Sequence, residues 1–332
     1  MPELFSEKSA KISVTRWNTC SWTSRRDDMK SWQRPNFVLI SRMVLVLIGI
    51  MALDLFFVWF IHHELQWPWG FEVSVGFILA LVMLGGGWAV SPRLFMGSAE
   101  PLGPEWQQRV ERIAFLADIP VPVLFQISSP LANAFTVRSW TGKGYAIVVT
   151  DTLLHSLRTD EFDAVIAHEL AHIAHHDMTM IVIAGSLNLV LNALMQRWWI
   201  LGNLLSFRQS NNNPVGLVMA GITLTWAFST LLTRLFSRYR ELAADETASV
   251  LLGSPLGLIN ALQNCETINR HYVMTQLART HHKKRPILPK DLRTVEAAQL
   301  LGFIWTGVSK WSALASHPST DERIVRLQRY WD

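Results

Sequence analysis

The chain has 332 residues, of which half are hydrophobic and 17% are charged, and its formal net charge is +4. Basic and aromatic residues are not interleaved, which excludes a typical nucleic-acid-binding surface. The only two cysteines are Cys20 and Cys265, which excludes a disulfide framework and suits a reducing compartment. What remains is a protein that is apolar for its length.

Four long runs of the sequence are apolar and almost free of charge: residues 43–61, 73–90, 179–195 and 215–232. The first run has 19 residues, and as a helix it would span roughly 28 Å, close to the ~30 Å hydrocarbon core of a bilayer. We therefore predict four transmembrane helices. The alternative for each run is a buried helix of a large soluble domain. This alternative is strongest for the third run, which is short and contains Asn188 and Asn192.

The distribution of Lys and Arg predicts the orientation of these helices. Eight basic residues precede the first run, whereas residues 62–72 contain no Lys or Arg. The positive-inside rule places the N-terminus in the cytoplasm, with residues 93–178 and 237–332 on the same side. About 40 polar and basic residues precede the first run. We therefore expect this run to be an anchor rather than a secretory signal peptide.

Residues 93–178 mix helix and strand patterns. An amphipathic helix is predicted over residues 105–118 by the helical spacing of apolar residues. A second helix is expected to start at Thr159. Short strands are predicted over residues 121–127, 134–139 and 145–150, the last two flanking a glycine-containing turn.

These elements predict an α+β membrane protein with four transmembrane helices and a mainly helical cytoplasmic domain that carries a small β-sheet. The predicted divisions are a cytoplasmic extension (residues 1–42), a transmembrane hairpin (43–92), the first part of the domain (93–178), a second hairpin (179–236) and the second part of the domain (237–332).

The segment AVIAHELAHIAHHD, residues 164–177, concentrates histidines on one predicted helix. His168 and His172 are four residues apart, so they differ by only about 40° around a helix and both imidazoles can reach one metal ion. Glu169 lies between them, as in the His-Glu-x-x-His motif. In that motif two imidazoles hold a zinc ion and the glutamate acts as general base toward the water that the ion activates. The alternative is a helix with solvated histidines.

A catalytic zinc ion needs a third protein ligand. On a straight helix His176 lies about 12 Å along the axis from His168, too far to share an ion at about 2.1 Å. No glycine follows His172 to break the helix, so we expect His175 and His176 to be solvated or near lipid head groups. The best candidate is Glu241 in SRYRELAADETA, where Asp245, one turn later, can accept the free N–H of a zinc-bound imidazole. The alternative is a surface helix in which Glu241 pairs with its basic neighbours.

Four motifs together resemble those of the HtpX family of integral-membrane zinc metalloproteases, relatives of the type I CaaX prenyl proteases: HELAH, SRYRELAAD, SHPSTDERI near the C-terminus, and NAF at residues 133–135. The resemblance covers nearly the whole chain after Met43. It implies a gluzincin-type endopeptidase of a bacterial inner or cell membrane, with a cytoplasmic active site and a role in membrane protein quality control. It also implies one Zn²⁺ per subunit, with His168, His172 and Glu241 as ligands and Glu169 as catalytic base.

The sequence departs from the family pattern at three places. The extension up to Arg42 is longer than expected, Ser319 stands where the family often has a second proline, and residues 280–299 carry no recognisable family pattern. The basic segment at residues 281–286 is expected to be solvated or to face lipid. These departures concern regulation and substrate choice rather than the chemistry.

Two further sites are predicted with the help of this resemblance. Asn133, Ala134 and Phe135 belong either to an edge strand, on which an extended substrate pairs through backbone hydrogen bonds, or to an ordinary core strand. His317 is the candidate donor to the oxygen that becomes negatively charged during amide hydrolysis, with Arg323 as the alternative. The other interpretation of His317 is a structural turn before the final helix.

Two other classes of protein remain open. A non-enzymatic membrane protein with a structural zinc ion typically uses cysteine ligands and has no need of Glu169, and no cysteine lies near the motif. A small transporter or channel needs polar residues along its helices, and only Asp54 and a few asparagines qualify. We therefore expect a protease whose partners are membrane lipid and membrane or unfolded protein substrates, without nucleic acid. The sequence carries no signal for the oligomeric state.

Overall fold

A computed structural model describes residues 36–65, 99–138, 144–196, 215–280 and 317–331 of the chain. This described part is mainly helical and carries one small sheet. In chain order its elements are α1 (Phe37–Leu65), β1 (Glu100–Pro101), α2 (Pro104–Ala117), β2 (Val123–Ile127), β3 (Ala134–Arg138), β4 (Tyr145–Thr150), α3 (Asp151–Ser156), α4 (Thr159–Ala174), α5 (Asp177–Gln196), α6 (Val215–Leu252), α7 (Leu256–Thr280) and α8 (Thr320–Trp331).

The four strands form one mixed sheet in the order β1-β2-β4-β3. β2 and β4 are parallel, whereas β1 pairs antiparallel with β2 and β3 pairs antiparallel with β4. The three predicted strands are confirmed, and the two-residue β1 was not predicted. Because β3 lies at one end of the order, one of its edges has no strand partner within the described residues.

The hydrophobic core of the domain is built around α4. This helix begins at Thr159, as predicted, and most of its residues from Glu161 to Ile173 are buried. It packs against α2, α6, α7 and β3. A Cβ at Gly257 would lie 3.0 Å from the backbone oxygen of Asp160, so a larger residue would require the start of α7 and α4 to move apart by a few tenths of an ångström. The result is a rigid support for the histidine-containing turns of α4.

Two of the described helices, α1 and α6, are long and apolar enough to cross a membrane. They contain the first and the fourth predicted transmembrane runs. The third run lies in α5, which is not one of these two helices, and the second run lies outside the described residues, as does the basic segment 281–286. The fold is therefore a mainly helical domain with a small mixed sheet and two candidate membrane helices, and the division into five segments stays a prediction.

The surface of α1 is strongly apolar. Its exposed large apolar side chains are Phe37, Val38, Ile40, Val44, Leu45, Ile48, Met51, Leu55, Phe56, Val58 and Trp59. The opposite side of α1 packs on α6. A Cβ at Gly221 of α6 would lie 2.4 Å from the ring of Phe60, so this glycine allows a close helix contact of the kind that small residues provide in membranes.

Candidate metal centre

The histidine pair projects from adjacent turns of α4. The ring planes of His168 and His172 are nearly perpendicular, their centroids lie 4.6 Å apart, and their Nε2 atoms lie 3.1 Å apart. The side chain of His168 is fully buried and that of His172 is 11% exposed. The four-residue spacing thus brings both Nε2 atoms to one buried point.

A third polar group reaches this point from α6. Oε2 of Glu241 lies 3.5 Å from Nε2 of His168, and Oε1 lies 3.6 Å from Nε2 of His172. Two ligand atoms bound at about 2.1 Å to one tetrahedral ion are about 3.4 Å apart. The three side chains therefore have the spacing of ligands to a single zinc-sized ion, and they form the metal-binding group found among the residues that the structure describes.

The Nδ1 side of the His172 ring contacts an aspartate that is itself paired with an arginine. Nδ1 of His172 donates to Oδ2 of Asp177 at 2.6 Å, and Nε of Arg240 lies 3.0 Å from Oδ1 of the same aspartate. Burial acts against the ionised form of Asp177, but Arg240 and His172 outweigh it and lower the pKa of this carboxyl. Asp177 is therefore held as a carboxylate.

His168 has a matching arrangement. Its Nδ1 lies 3.0 Å from Oδ1 of Asp245, and the guanidinium of Arg323 donates to the two oxygens of Asp245 at 2.6 and 2.7 Å. Arg323 is only 1% exposed. Burial acts against its charge, but Asp245 outweighs this and raises the pKa of Arg323 above its usual value. The centre thus has two Arg–Asp–His networks, one behind each histidine.

These networks decide which nitrogen of each ring faces the centre. A carboxylate beside Nδ1 keeps a proton on that atom and leaves a lone pair on Nε2 of the neutral imidazole. Two nitrogen lone pairs and the carboxylate of Glu241 then meet at one buried point, and such an arrangement needs a cation. Burial lowers the pKa of His168, but hydrogen bonding with Asp245 and Glu241 outweighs it and raises the pKa to about 9. The donor set therefore fits a metal ion, which would take the place of this proton.

The helix that carries the histidine pair ends before His175 and His176, sooner than expected. α4 ends at Ala174, and His176 has a left-handed backbone with φ of 55° before α5 begins at Asp177. Such a conformation is uncommon for residues other than glycine, and no glycine in this segment signalled it. The expectation of a straight helix is therefore wrong. The break directs Asp177 back toward His172. Because the sequence did not indicate this break, the contact of Asp177 with His172 was not predicted.

The two later histidines do not join the metal-binding group. His176 is exposed, as expected. His175 is partly buried, and its Nε2 lies 3.2 Å from the hydroxyl of Thr247, so the expectation that it is solvated does not hold.

Glu169 lies beside the metal-binding group without belonging to it. It is 2% exposed. The hydroxyl of Thr136 on β3 donates to Oε2 of Glu169 at 2.8 Å and lies 3.3 Å from the backbone oxygen of the same residue. A carboxylate adjacent to the ion but not bound to it is what a general base in such a site requires.

Of the predicted substrate-binding residues, Asn133 directly precedes β3, and Ala134 and Phe135 are its first two residues. The backbone of Asn133 exchanges hydrogen bonds with Thr150, and its side-chain oxygen accepts from the backbone N–H of Ala134 at 3.0 Å. Asn133, Ala134 and Phe135 are all buried. The end position of β3 agrees with the edge-strand interpretation. A substrate would contact this strand through backbone groups, and that role stays a prediction.

The C-terminal segment reaches the same centre. His317 is 5% exposed, and its Nδ1 lies 3.4 Å from Oε2 of Glu241. Arg323 lies behind the centre, where it holds Asp245. The two residues predicted as alternative donors thus occupy different places, and only His317 lies next to the metal-binding group.

A buried His-His-Glu group, an adjacent carboxylate on the same helix and a small sheet beside that helix define a metallopeptidase of the His-Glu-x-x-His type. Comparison with known proteins agrees with this class. The sequence profile of peptidase family M48 matches residues 103–331, which contain every member of the centre. The chain belongs to peptidase family M48.

Individual relatives extend this result. A Moorella thermoacetica protein named Protease HtpX homolog is 32% identical over 304 residues, which cover 88% of this chain and 94% of the relative. A Streptomyces coelicolor protein named Protease HtpX homolog 1 is 34% identical over 236 residues, covering 68% and 70% of the two chains. The predicted resemblance to the HtpX family is confirmed.

A solved structure shares the fold. The crystal structure of S. mikatae Ste24p superposes with a TM-score of 0.50 at 19% sequence identity and covers 88% of this chain. The match covers 66% of the Ste24p chain, slightly less than two thirds of its length. At this identity the likeness concerns the fold alone.

Proposed function

We propose that the protein is an integral-membrane zinc endopeptidase that hydrolyses peptide bonds of membrane or misfolded proteins and so serves membrane protein quality control. The observation that carries this proposal is the meeting of Nε2 of His168, Nε2 of His172 and the carboxylate of Glu241 at one buried point. Glu169 lies beside them. The names of the relatives support the reaction class, because they are called proteases.

When bound, a zinc ion would activate a water molecule and polarise the peptide carbonyl. The three ligands would hold one ion per subunit. Glu169 is not a ligand, so its carboxylate is available to accept a proton from the attacking water and to pass it to the leaving amine. Asp177 and Asp245 keep the two imidazoles in the tautomer that presents Nε2.

His317 completes the proposed catalytic group. As the amide carbon becomes tetrahedral, negative charge grows on the former carbonyl oxygen, and a donor aimed at that oxygen stabilises it. His317 lies next to Glu241 and precedes the final helix by three residues. Arg323 is less suited, because its guanidinium is already engaged with Asp245.

The proposed substrate is an extended polypeptide that pairs with β3. Peptides commonly bind to an exposed strand edge through backbone hydrogen bonds. β3 is the end strand of the described sheet, and Thr136 connects it to Glu169. A strand pairing here would bring a peptide backbone alongside the helix that carries the base.

The proposed location is the inner or cell membrane of a bacterium, with four transmembrane helices and with the N-terminus and the active site in the cytoplasm. Support comes from the two candidate membrane helices and from the basic residues that precede the first. Gln66→Cys and Lys143→Cys, each made in a variant without Cys20 and Cys265, test it. An impermeant thiol reagent should label the first in intact cells and not the second; the opposite pattern would invert the topology.

The reaction is tested with the full chain purified in detergent. One zinc per chain and cleavage of an unfolded casein are expected, with cleavage lost on chelation and restored by zinc. Glu169→Gln should keep the zinc and the fold but lose about 10²–10⁴-fold in rate. Wild-type cleavage by Glu169→Gln would contradict the mechanism. Full zinc without cleavage in the wild type would favour the non-enzymatic zinc protein instead.

The role of His317 needs its own variant. His317→Ala should lower turnover by at least about tenfold, since removal of one such donor costs about 10²–10³ elsewhere. Zinc content and thermal stability should stay near wild type. Normal cleavage, or a loss explained by unfolding, would return His317 to a structural role beside Glu241.

A further inference from the structure

One contact near the centre is not explained by metal binding. Thr136 lies in the middle of β3 and is 7% exposed. Its hydroxyl donates to Oε2 of Glu169 at 2.8 Å. Within the described part of the chain, this is the only side-chain hydrogen bond that the Glu169 carboxylate makes.

The neighbours of Thr136 on the strand show why its side chain meets α4. Successive residues of a strand point to opposite faces of the sheet. Phe135 and Val137 pack with Ala146 and Val148 in a cluster on one face. Thr136 points to the other face, toward α4. The hydroxyl of Thr136 therefore connects the end strand to the proposed base.

We propose that Thr136 is a positioning residue for Glu169, an inference that rests on the proposed function of Glu169 as general base. A glutamate side chain has several rotatable bonds, whereas a threonine in a strand has a restricted χ1. The rigid hydroxyl holds Oε2 of Glu169 and leaves Oε1 free to accept the proton of the attacking water. A base held in one orientation reacts faster than one that must first find it.

The geometry distinguishes this role from a purely structural one. The hydroxyl has one hydrogen to donate, and the carboxylate oxygen at 2.8 Å is closer than the backbone oxygen at 3.3 Å. A hydrogen bond to a charged acceptor is also roughly twice as strong as one to a neutral acceptor. The carboxylate is therefore the partner that the hydroxyl serves.

Kinetics of two variants test the proposal. Thr136→Val keeps the branched shape and removes the hydroxyl, and Thr136→Ser keeps the hydroxyl. In Thr136→Val, kcat on an unfolded protein substrate should fall by about tenfold, the scale of one hydrogen bond to a charged group, while KM and zinc content stay within about twofold. Thr136→Ser should recover most of kcat. An unchanged kcat in Thr136→Val, or a loss that Thr136→Ser does not recover, would overturn the proposal.

Thr150→Val is the matched control, because Thr150 is a buried threonine of the neighbouring strand whose hydroxyl contacts Asn133 and Leu153 rather than Glu169. It should lower the thermal midpoint without reproducing the tenfold fall in kcat. An equal fall in kcat would show that any lost hydroxyl in this sheet has the same effect, and would overturn the assignment to Thr136.

A stability measurement separates this proposal from the proposed function. The fall in thermal midpoint caused by Thr136→Val should be clearly smaller in the Glu169→Gln background, where the charged acceptor is gone, than in the wild-type background. Equal falls in both backgrounds would overturn the contact even if the protein proves to be a protease. Unequal falls in thermal midpoint, in a protein that shows no protease activity, would support the contact and contradict the proposed function.

Discussion

The two halves of α6 differ in the side chains that they expose and in the charges that they bury. Before Phe236, Leu224 and Phe228 are 61% and 56% exposed, whereas the uncharged Thr225 and Ser229 are almost fully buried. After Phe236 no large apolar side chain of this helix is exposed, and charged side chains are buried. The polar residues buried in this second half are Ser237, Arg240, Glu241, Asp245, Glu246 and Ser249.

This difference indicates two different surroundings for one helix. Exposed leucine and phenylalanine at this density are unfavourable in water and suit the hydrocarbon core of a bilayer. Buried charges need partners, and the second half supplies them: Asp245 pairs with Arg323 and Glu246 pairs with Arg326. A single helix thus combines a candidate membrane crossing with a metal ligand, and each half can be tested separately.

The largest effect is expected from the ligand itself. Glu241→Ala should lose zinc, with a fall in apparent affinity beyond the roughly 10–100-fold that outer hydrogen-bond partners contribute. Ser229→Ala, a buried change in the first half of the same helix, should keep it. Zinc per chain after dialysis measures both. Full zinc occupancy in Glu241→Ala would move the third ligand away from α6.

A charge in the first half should disturb insertion into the membrane. Phe228→Arg places a guanidinium on the exposed apolar surface, at a cost of about 2.5–3.5 kcal/mol if that surface meets the centre of the bilayer. Val325→Arg on α8, where Val325 is 45% exposed, should be neutral. The fraction of protein recovered in washed membranes distinguishes them. Equal recovery of the two variants would show that the first half of α6 does not face lipid.

The buried pairs of the second half should have a smaller effect. Asp245→Asn keeps an acceptor for His168 but removes the charge that Arg323 neutralises, and zinc affinity should fall by about 10–100-fold. Asp177→Asn should act similarly through His172. Competition with a chromogenic chelator gives both affinities. Wild-type affinity in both variants would mean that the networks support the fold and not the ion.

The smallest effect, when it is counted over one pH unit, is that of pH on metal binding. The raised pKa of about 9 for His168 means that the metal-free site holds a proton at neutral pH, and this proton must leave before an ion binds. Apparent zinc affinity should therefore rise by about tenfold for each unit of pH up to about 9 from this group alone. Isothermal titration in buffers of different ionisation enthalpy also counts the released proton. A pH-independent affinity with no proton release would contradict the assignment.

Local patterns of the sequence predicted the parts of the centre that lie on one helix. His168, Glu169 and His172 follow from the period of 3.6 residues, and the short strands follow from their β-branched residues and turns. Glu241 was a candidate from its position and its spacing to Asp245, but spacing alone also allowed a surface helix. The structure resolves that choice by burying Glu241 between the two histidines.

Contacts between distant segments could not be predicted from these local patterns. Arg323 and Asp245 are 78 residues apart in sequence, and nothing in the local pattern pairs them. The contact between Asp177 and Arg240 depends on the left-handed backbone of His176. No glycine or proline in this segment indicates that conformation in the sequence. The sheet order, in which β4 separates β2 from β3, likewise depends on pairing between strands rather than on the strands themselves.

If α6 crosses a membrane as proposed, its unbroken course would set how far from the bilayer a peptide bond can be cut. Glu241 lies nine residues after Leu232, the predicted end of the fourth apolar run, so it is about 13.5 Å further along the helix axis. An extended chain advances about 3.3 Å per residue. A substrate leaving the same bilayer would therefore need about four residues beyond its own membrane segment before its backbone reaches the ion. Under the proposed function, cleavage positions would then be restricted by their number of residues from the membrane surface.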